Sequence, residues 1–283
     1  MAEYRYSELF RSVQGEGKYT GVPTLWLRFW GCNFKCEGFS QSNPQSQSTY
    51  INPFDGVDVS AFETMEDLPV IQYGCDSIYS WHKSFQHLSH QATAAQICDR
   101  LEAILPNGKF GTSYHMAFTG GEPIISQNGI LDVLRELERR ENVPKFITVE
   151  TNGTQVVREE LSSWISDYTG EWMWSVSPKL SASGESWSDA IKPEIVSSYK
   201  ALSDAGQLKF VVNGTQQTWD DVHKAVELYR AAGIDWEITV MPCGATKEQQ
   251  EAIQADICEQ AIEYGYRFSA RLHNWLWGNK VGT

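Results

Sequence analysis

The chain has 283 residues, long enough to bury a sizeable core and expected to form a single domain over residues 1-283. Its 23 Lys plus Arg against 36 Asp plus Glu give a formal charge of -13, a field that repels a phosphate backbone and argues against nucleic acid as a partner. The opening "MAEYRYSELF" is polar and no run approaches the roughly 18 apolar residues of a membrane span, so the expectation is a soluble, cytoplasmic protein with no membrane partner.

In chain order, the first strand is "TLWLRFW" (24–30), which runs through Gly31 into "GCNFKC", where Cys32 and Cys36 stand four apart. Two thiols at this spacing suit a metal or cluster, but they do not complete a zinc site, and ordinary iron-sulfur clusters take four. A pair of unbonded core thiols fits the spacing equally well. Residues 37–74 then break the pattern. This stretch is polar and low in complexity at first, then rich in turn residues with a few apolar anchors, and it is expected to be an insertion protruding from the core.

After residue 90 short β-rich runs alternate with amphipathic segments. "YHMAFTG", "KFITVE", "WMWSVS", "LKFVV", "WEITVMP" and "YRFSARLH" are expected strands. Helical faces join Ile97, Leu101, Ile104 and Leu105; Ile130, Leu134 and Leu137; Val222, Val226 and Tyr229; and Ile253, Ile257 and Ala261. This βαβα order predicts an α/β fold with parallel strands, either a doubly wound sheet or an open or closed barrel, with its site at the carboxyl ends of the strands.

At those ends lie the motifs that carry chemistry. "TGGEP" (Thr119 to Pro123) follows the "YHMAF" strand; its glycines permit close backbone approach and Glu122 can accept hydrogen bonds from an ammonium group, although a tight βα turn explains the same residues. Cys98 and Cys258 sit on helix faces and suit core packing, whereas Cys243 in "MPCG" could line a site. His82, His87 and His90 fit no standard zinc spacing and suit a polar loop.

Taken together, "SELFRSVQGEGKYTGVPTLWLRFWGCNFKC", "TGGEP", "ETNGT", "VSPK", "LKFVV" and "RLHNWLWGNKVG" resemble the 7-carboxy-7-deazaguanine synthase family of radical S-adenosylmethionine (radical SAM) enzymes. The resemblance covers nearly the whole chain outside 37–74. It implies a partial, open βα barrel with a long insertion in the cluster-binding loop, a 4Fe-4S cluster held by three thiolates, S-adenosylmethionine on the open iron, and Mg2+. The implied reaction converts 6-carboxy-5,6,7,8-tetrahydropterin to 7-carboxy-7-deazaguanine with loss of ammonia, a 5'-deoxyadenosyl radical taking hydrogen from C6. In the family the last cluster cysteine precedes Asp and Thr, and "GCDSIYSW" has this form with Ser77 in place of Thr. The third ligand is then Cys75, beyond 38 intervening residues. Each doubling of loop length costs only about 0.6 kcal/mol, so this separation is tolerable.

Carried over position by position, the resemblance implies that Ser77 ligates magnesium and that Gly74, Asp76, Gly121, Glu122, Ser177, Pro178 and Lys179 contact S-adenosylmethionine. It further implies that Val13, Gln14, Gly15, Glu16, Thr119, His273 and the carboxylate of Thr283 contact the pterin substrate, with Arg28 forking onto the substrate carboxylate. A flavodoxin-like electron donor and a homodimer follow from the same source. The competing readings are another radical SAM enzyme, such as a glycyl-radical activase, and a non-catalytic protein holding zinc or an iron-sulfur centre.

Overall fold

The computed structural model describes residues 2–283. Strands β1 (Glu3–Val13), β2 (Pro23–Phe29), β3 (His90–Thr93), β4 (His115–Gly120), β5 (Phe146–Thr151), β6 (Glu171–Val176), β7 (Gly206–Val212), β8 (Glu237–Pro242) and β9 (Arg267–Phe268) form one sheet. Their order is β3-β1-β2-β4-β5-β6-β7-β8-β9. β1 runs antiparallel to β2 and β3, and every pairing from β2 to β9 is parallel. β3 and β9 end the sheet without pairing to each other, so the barrel stays open. Helices α1 (Ala94–Ile104), α2 (Gln127–Arg139), α3 (Glu159–Asp167), α4 (Trp187–Ala190), α5 (Pro193–Leu202), α6 (Gln216–Ala231), α7 (Lys247–Glu251), α8 (Gln254–Tyr264) and α9 (Leu272–Trp277) lie between and after the strands. No helix among the described residues is long and apolar enough to cross a membrane.

The alternation of side chains along each strand divides the sheet into two faces. Leu25, Leu27 and Phe29 of β2, Met116 and Phe118 of β4, Ile147 and Val149 of β5, and Leu208, Phe210 and Val212 of β7 join the helices in one large apolar core. The intervening Arg28, Thr119, Glu150 and Lys209 point the other way and line a cavity. A fully covered parallel strand would be apolar at every position, so each inward polar residue marks a face reserved for something other than packing.

β1 was not among the expected strands. Its polar sequence alternates, but a bulge interrupts the period: Tyr6 pairs with Phe29 and Glu8 with Arg28, so two residues on β1 oppose one step on β2. The bulge puts Tyr6 in the apolar core while turning Glu8 into the cavity opposite Arg28. At the other end "YRFSARLH" yields a strand only over Arg267–Phe268, and His273 lies in α9 instead.

The segment 37–74 does not simply protrude. Met65, Leu68 and Ile71 bury themselves against Tyr79, Phe85 and Leu88 in a second, smaller core that also receives Phe54, Trp30 and Val281. Its two ends meet where Gly74 N donates to Phe39 O at 2.8 Å, and residues 68–71 form part of the cavity wall. The apolar anchors lacked a period because none sits on a helix or strand with a regular repeat: Met65 starts a short 3-10 turn, while Phe54, Leu68 and Ile71 lie in irregular chain.

Trp174 is fully buried and stacks on Tyr199, with ring centroids 4.4 Å apart, whereas Trp275 is 48% exposed. Trp174→Ala is therefore expected to lower unfolding free energy by about 3–5 kcal/mol. Trp275→Ala should change it by no more than ~0.5 kcal/mol, both read by urea denaturation.

Candidate functional site

A cavity of about 260 Å³ opens at the carboxyl ends of the parallel strands, as the fold class predicts. The loop after β2 delivers Cys32 and Cys36, and the chain returning from the insertion delivers Cys75. All three pack in one group with Phe34, Phe39 and Ala190. Since Gly74 is hydrogen-bonded back to Phe39, Cys75 enters where an uninterrupted loop would have placed a cysteine at 39.

The loop is held in a costly shape by specific partners. Cys36 takes a left-handed backbone, φ 52°, unusual for a residue with a Cβ. Glu185 supports it: one carboxylate oxygen accepts from Lys35 N at 2.8 Å and from Cys36 N at 2.7 Å. Gly121 allows β4's loop to approach, because a Cβ there would stand 2.5 Å from Cys32 Cβ and from Gly31 O.

The three thiols suit an iron-sulfur cluster. None is in a disulfide. Phe34 N donates to Cys32 Sγ at 3.4 Å and Trp81 Nε1 to Cys75 Sγ at 3.4 Å, donors that would stabilise thiolate sulfur. Burial pushes the Cys32 thiol up to about 12 and raises Cys36 and Cys75 as well, so the free thiols stay protonated until a metal displaces the proton. Among the described residues no three His, Cys, Asp or Glu side chains converge tightly enough to share a single metal ion.

Behind the sulfurs lies a charged network. Arg271 Nε reaches Glu16 Oε1 at 2.8 Å, its Nη2 reaches Asp76 Oδ2 at 2.6 Å, and its Nη1 donates to Gly244 O at 3.1 Å. Lys209 pairs with Glu16 and lies 3.8 Å from Glu150, whose carboxylate accepts from Gln14 Nε2 at 3.1 Å. Burial alone would raise the Glu16 carboxyl, but Lys209, Arg271 and His273 hold it well below the usual carboxylate range. Asp76 is likewise lowered, Arg271 outweighing its burial. Burial opposes the charge on Lys209, yet Glu150 and Glu16 keep it raised.

Arg28 Nε binds Glu8 Oε2 at 2.6 Å and Nη1 donates to Gly120 O at 3.3 Å, leaving Nη2 without a protein partner among the described residues. Glu8 also accepts from Tyr79 OH at 3.0 Å and from Gly282 N at 2.9 Å, which draws the segment 279–283 over the cavity. His273 fits against Gly15 so closely that a Cβ on Gly15 would stand 2.0 Å from His273 Nδ1. Burial first, then repulsion from Arg271, lowers His273 to about 4, so its imidazole is neutral.

The cavity wall includes Val13, Gln14, Gly15, Glu16, Arg28, Gly74, Asp76, Ser77, Thr119, Gly121, Ser177, Lys179, His273 and Thr283, together with the three cysteines. Two expected contacts lie outside it. Pro178 is buried without lining the cavity. The Glu122 carboxylate is fully buried behind the wall, where it accepts from Ile124 N at 3.0 Å, Thr151 Oγ1 at 2.9 Å and Asn152 N at 2.7 Å. Burial pushes it up to about 7 against those three donors. It ties the loop after β4 to the end of β5 and the loop beyond it. Cys243 does line the cavity, beside Ser40. The histidine trio disperses: His82 accepts from Ser84 N, His87 contacts Phe62 O, and His90 packs beside Tyr6.

The sequence reading missed Glu8, Glu150, Lys209, Arg271 and Glu185. Glu150 and Lys209 could have been found as charges in otherwise apolar strands, "FITVE" and "LKFVV", the same signal that exposes Arg28. Glu185 and Arg271 act from loops, where sequence period says nothing.

No protein-family model matches the chain. The 7-carboxy-7-deazaguanine synthase of Halobacterium salinarum is 27% identical over an alignment of 297 residues, covering 98% of this chain and 91% of its own. That of Pyrobaculum aerophilum is 27% identical, covering 98% and 96%, and that of Escherichia coli K12 is 27% identical, covering 97% and 98%. Among solved structures, QueE from Escherichia coli superposes with a TM-score of 0.56 at 22% identity, covering 96% of this chain and 95% of its own, a likeness of fold.

Three outcomes follow from this geometry. Glu122→Ala would leave three buried donors unpaired and should cost about 2–4 kcal/mol, with Glu122→Gln costing less, by denaturant titration. Gly15→Ala should expel His273 from its niche and raise hydrogen exchange through 271–277. Because the unfolded chain protonates His273 near its ordinary 6.5 and the folded chain only near 4, folding releases a proton in that window. Stability should therefore fall as pH drops from 6.5 toward 4, and His273→Gln should flatten that part of the profile.

Proposed function

We infer that this chain, which belongs to the 7-carboxy-7-deazaguanine synthase family, is a radical SAM lyase that converts 6-carboxy-5,6,7,8-tetrahydropterin to 7-carboxy-7-deazaguanine with loss of ammonia. The observation that carries this reading is the meeting of Cys32, Cys36 and Cys75 in one group beside a cavity lined by Arg28, Glu16 and His273. In this reading the three thiolates hold a 4Fe-4S cluster, with S-adenosylmethionine beside it. When bound, the pair supplies one-electron chemistry that removes a hydrogen atom from the substrate.

The chain's own residues bind, orient and exclude water. Arg28 offers its uncommitted Nη2 to the substrate carboxylate, while Glu8 and Gly120 fix the plane of the guanidinium. Glu16, held ionised by Lys209 and Arg271, accepts N–H groups of the pterin, and neutral His273 faces its purine-like end beside Thr283. Thr119, Gln14, Val13 and Gly15 complete the substrate wall. Ser177, Lys179, Gly74, Asp76 and the backbone at Gly121 face the S-adenosylmethionine side. Ser77 supplies a hard hydroxyl oxygen for Mg2+, with substrate oxygens and waters as further ligands. Residues 68–71 roof the cavity with apolar side chains, which keeps water and competing hydrogen donors from a reactive centre. A single domain with the 37–74 insertion, a flavodoxin-like donor and a homodimer complete the proposal.

Anaerobic reconstitution should give about four iron and four sulfide per chain, and Cys75→Ala should lose most of both while the apoprotein still folds. With substrate, S-adenosylmethionine, reductant and Mg2+, mass spectrometry should find 7-carboxy-7-deazaguanine and 5'-deoxyadenosine. Formation of 5'-deoxyadenosine without the deazaguanine product would overturn the substrate assignment, and retention of iron in Cys75→Ala would overturn the cluster.

A further inference from the structure

Arg271 uses each arm of its guanidinium on a different part of the chain. Nε binds Glu16 in the loop after β1, Nη2 binds Asp76 between Cys75 and Ser77, and Nη1 binds Gly244 O beyond β8. Its neighbour reinforces the first link, since Leu272 N donates to Gly15 O at 2.9 Å. Glu16 is separately held by Lys209, and Asp76 has Arg271 as its salt-bridge partner.

We propose that Arg271 is a positioning residue that fixes the distance between the loop carrying Cys75 and the loop carrying Glu16, and so couples occupancy of the substrate side to the geometry of the cluster side. The proposal rests on the function inferred above. A planar fork can hold two carboxylates and a carbonyl in one fixed arrangement, whereas a lysine ammonium at the end of a flexible stem cannot. Hydrogen transfer depends on the reacting atoms being held at close range, and a misplacement of about 1 Å can cost ~10²-fold. Loosening the Asp76 to Glu16 distance should therefore separate cofactor cleavage from product formation.

The test compares wild type, Arg271→Lys, Asp76→Asn and their double variant as cluster-loaded, S-adenosylmethionine-bound proteins under anaerobic conditions, matched for iron content. Two readouts are taken: the ratio of 5'-deoxyadenosine to 7-carboxy-7-deazaguanine, and hydrogen exchange across 74–82 with and without 6-carboxypterin, an oxidised analogue that cannot react. In wild type the analogue should slow exchange in both 13–17 and 74–82. In Arg271→Lys it should still protect 13–17 but lose the protection of 74–82, and the 5'-deoxyadenosine to product ratio should rise about tenfold or more. Asp76→Asn weakens the same link from its other end without touching the Arg271 to Glu16 pair, so it serves if Arg271→Lys loads iron poorly. The double variant should be no worse than either single change. Additive effects, or protection of 74–82 and a ratio both unchanged in the single variants, would overturn the proposal. A wild type that makes no product would instead refute the assigned reaction, with the exchange data still deciding whether Arg271 links the two loops.

Discussion

The hydrogen bond from Gly74 N to Phe39 O is the contact on which the site's assembly depends. It closes a long excursion of the chain and returns Cys75 to the side of Cys32 and Cys36. Closing a loop of this length costs entropy, but only logarithmically in its length. The excursion also offsets that cost by burying Met65, Leu68 and Ile71 against Phe85 and Leu88. The segment between Cys36 and Cys75 thereby becomes part of the cavity wall beside them. Glu185 provides the second brace, holding Cys36 in a backbone conformation that it would not adopt unaided.

The inner face of the sheet imposes a different constraint. A chain with a formal charge of -13 gathers Arg28, Lys179, Lys209 and Arg271 around one cavity and sets Glu8, Glu16, Asp76 and Glu150 among them, so the wall carries both signs side by side. Buried charges survive only when paired, and here each main pair is shared: Glu16 between Lys209 and Arg271, Glu8 between Arg28 and Tyr79. Such networks add little net stability compared with an apolar interior, whereas removing one member leaves its partners stranded. Their retention is intelligible if the cavity has to receive a ligand with both a carboxylate and several N–H groups, since preformed charges then need no reorganisation on binding.

The legibility of the sequence followed the same physics. Parallel strands β2 and β4 to β8 could be read because one face of each packs into the apolar core and leaves short β-rich runs, and the cysteines, "TGGEP" and the "QGEG" within "SVQGEGKY" because their joint pattern resembles that of a known family. β1 was hidden by its bulge, which breaks the period of two between Tyr6 and Glu8. The end of "YRFSARLH" was misassigned because Leu272 to Trp277 is apolar enough for either a strand or a short helix, and only docking of Leu272 onto Gly15 selects the helix. Glu122 illustrates a further limit: a carboxylate in a glycine-rich turn suggests ligand binding, but sequence alone does not show the three protein donors that it also receives.

The cavity is built from segments distant in sequence. Glu8 and Arg28 come from the first antiparallel pair, Cys75 and Tyr79 follow the insertion, and Arg271, His273 and Gly282 lie more than 240 residues after Arg28. Glu8 joins three of these at one carboxylate, accepting from Arg28, Tyr79 and Gly282. Contacts of such separation carry a loop-closure cost that must be met before they contribute. Arg28, Glu16 and His273 therefore stand together only where all these segments have met. The three cysteines need only the loop after β2 and the closure of the insertion, whereas the alignment of Arg28, Glu16 and His273 needs both ends of the chain.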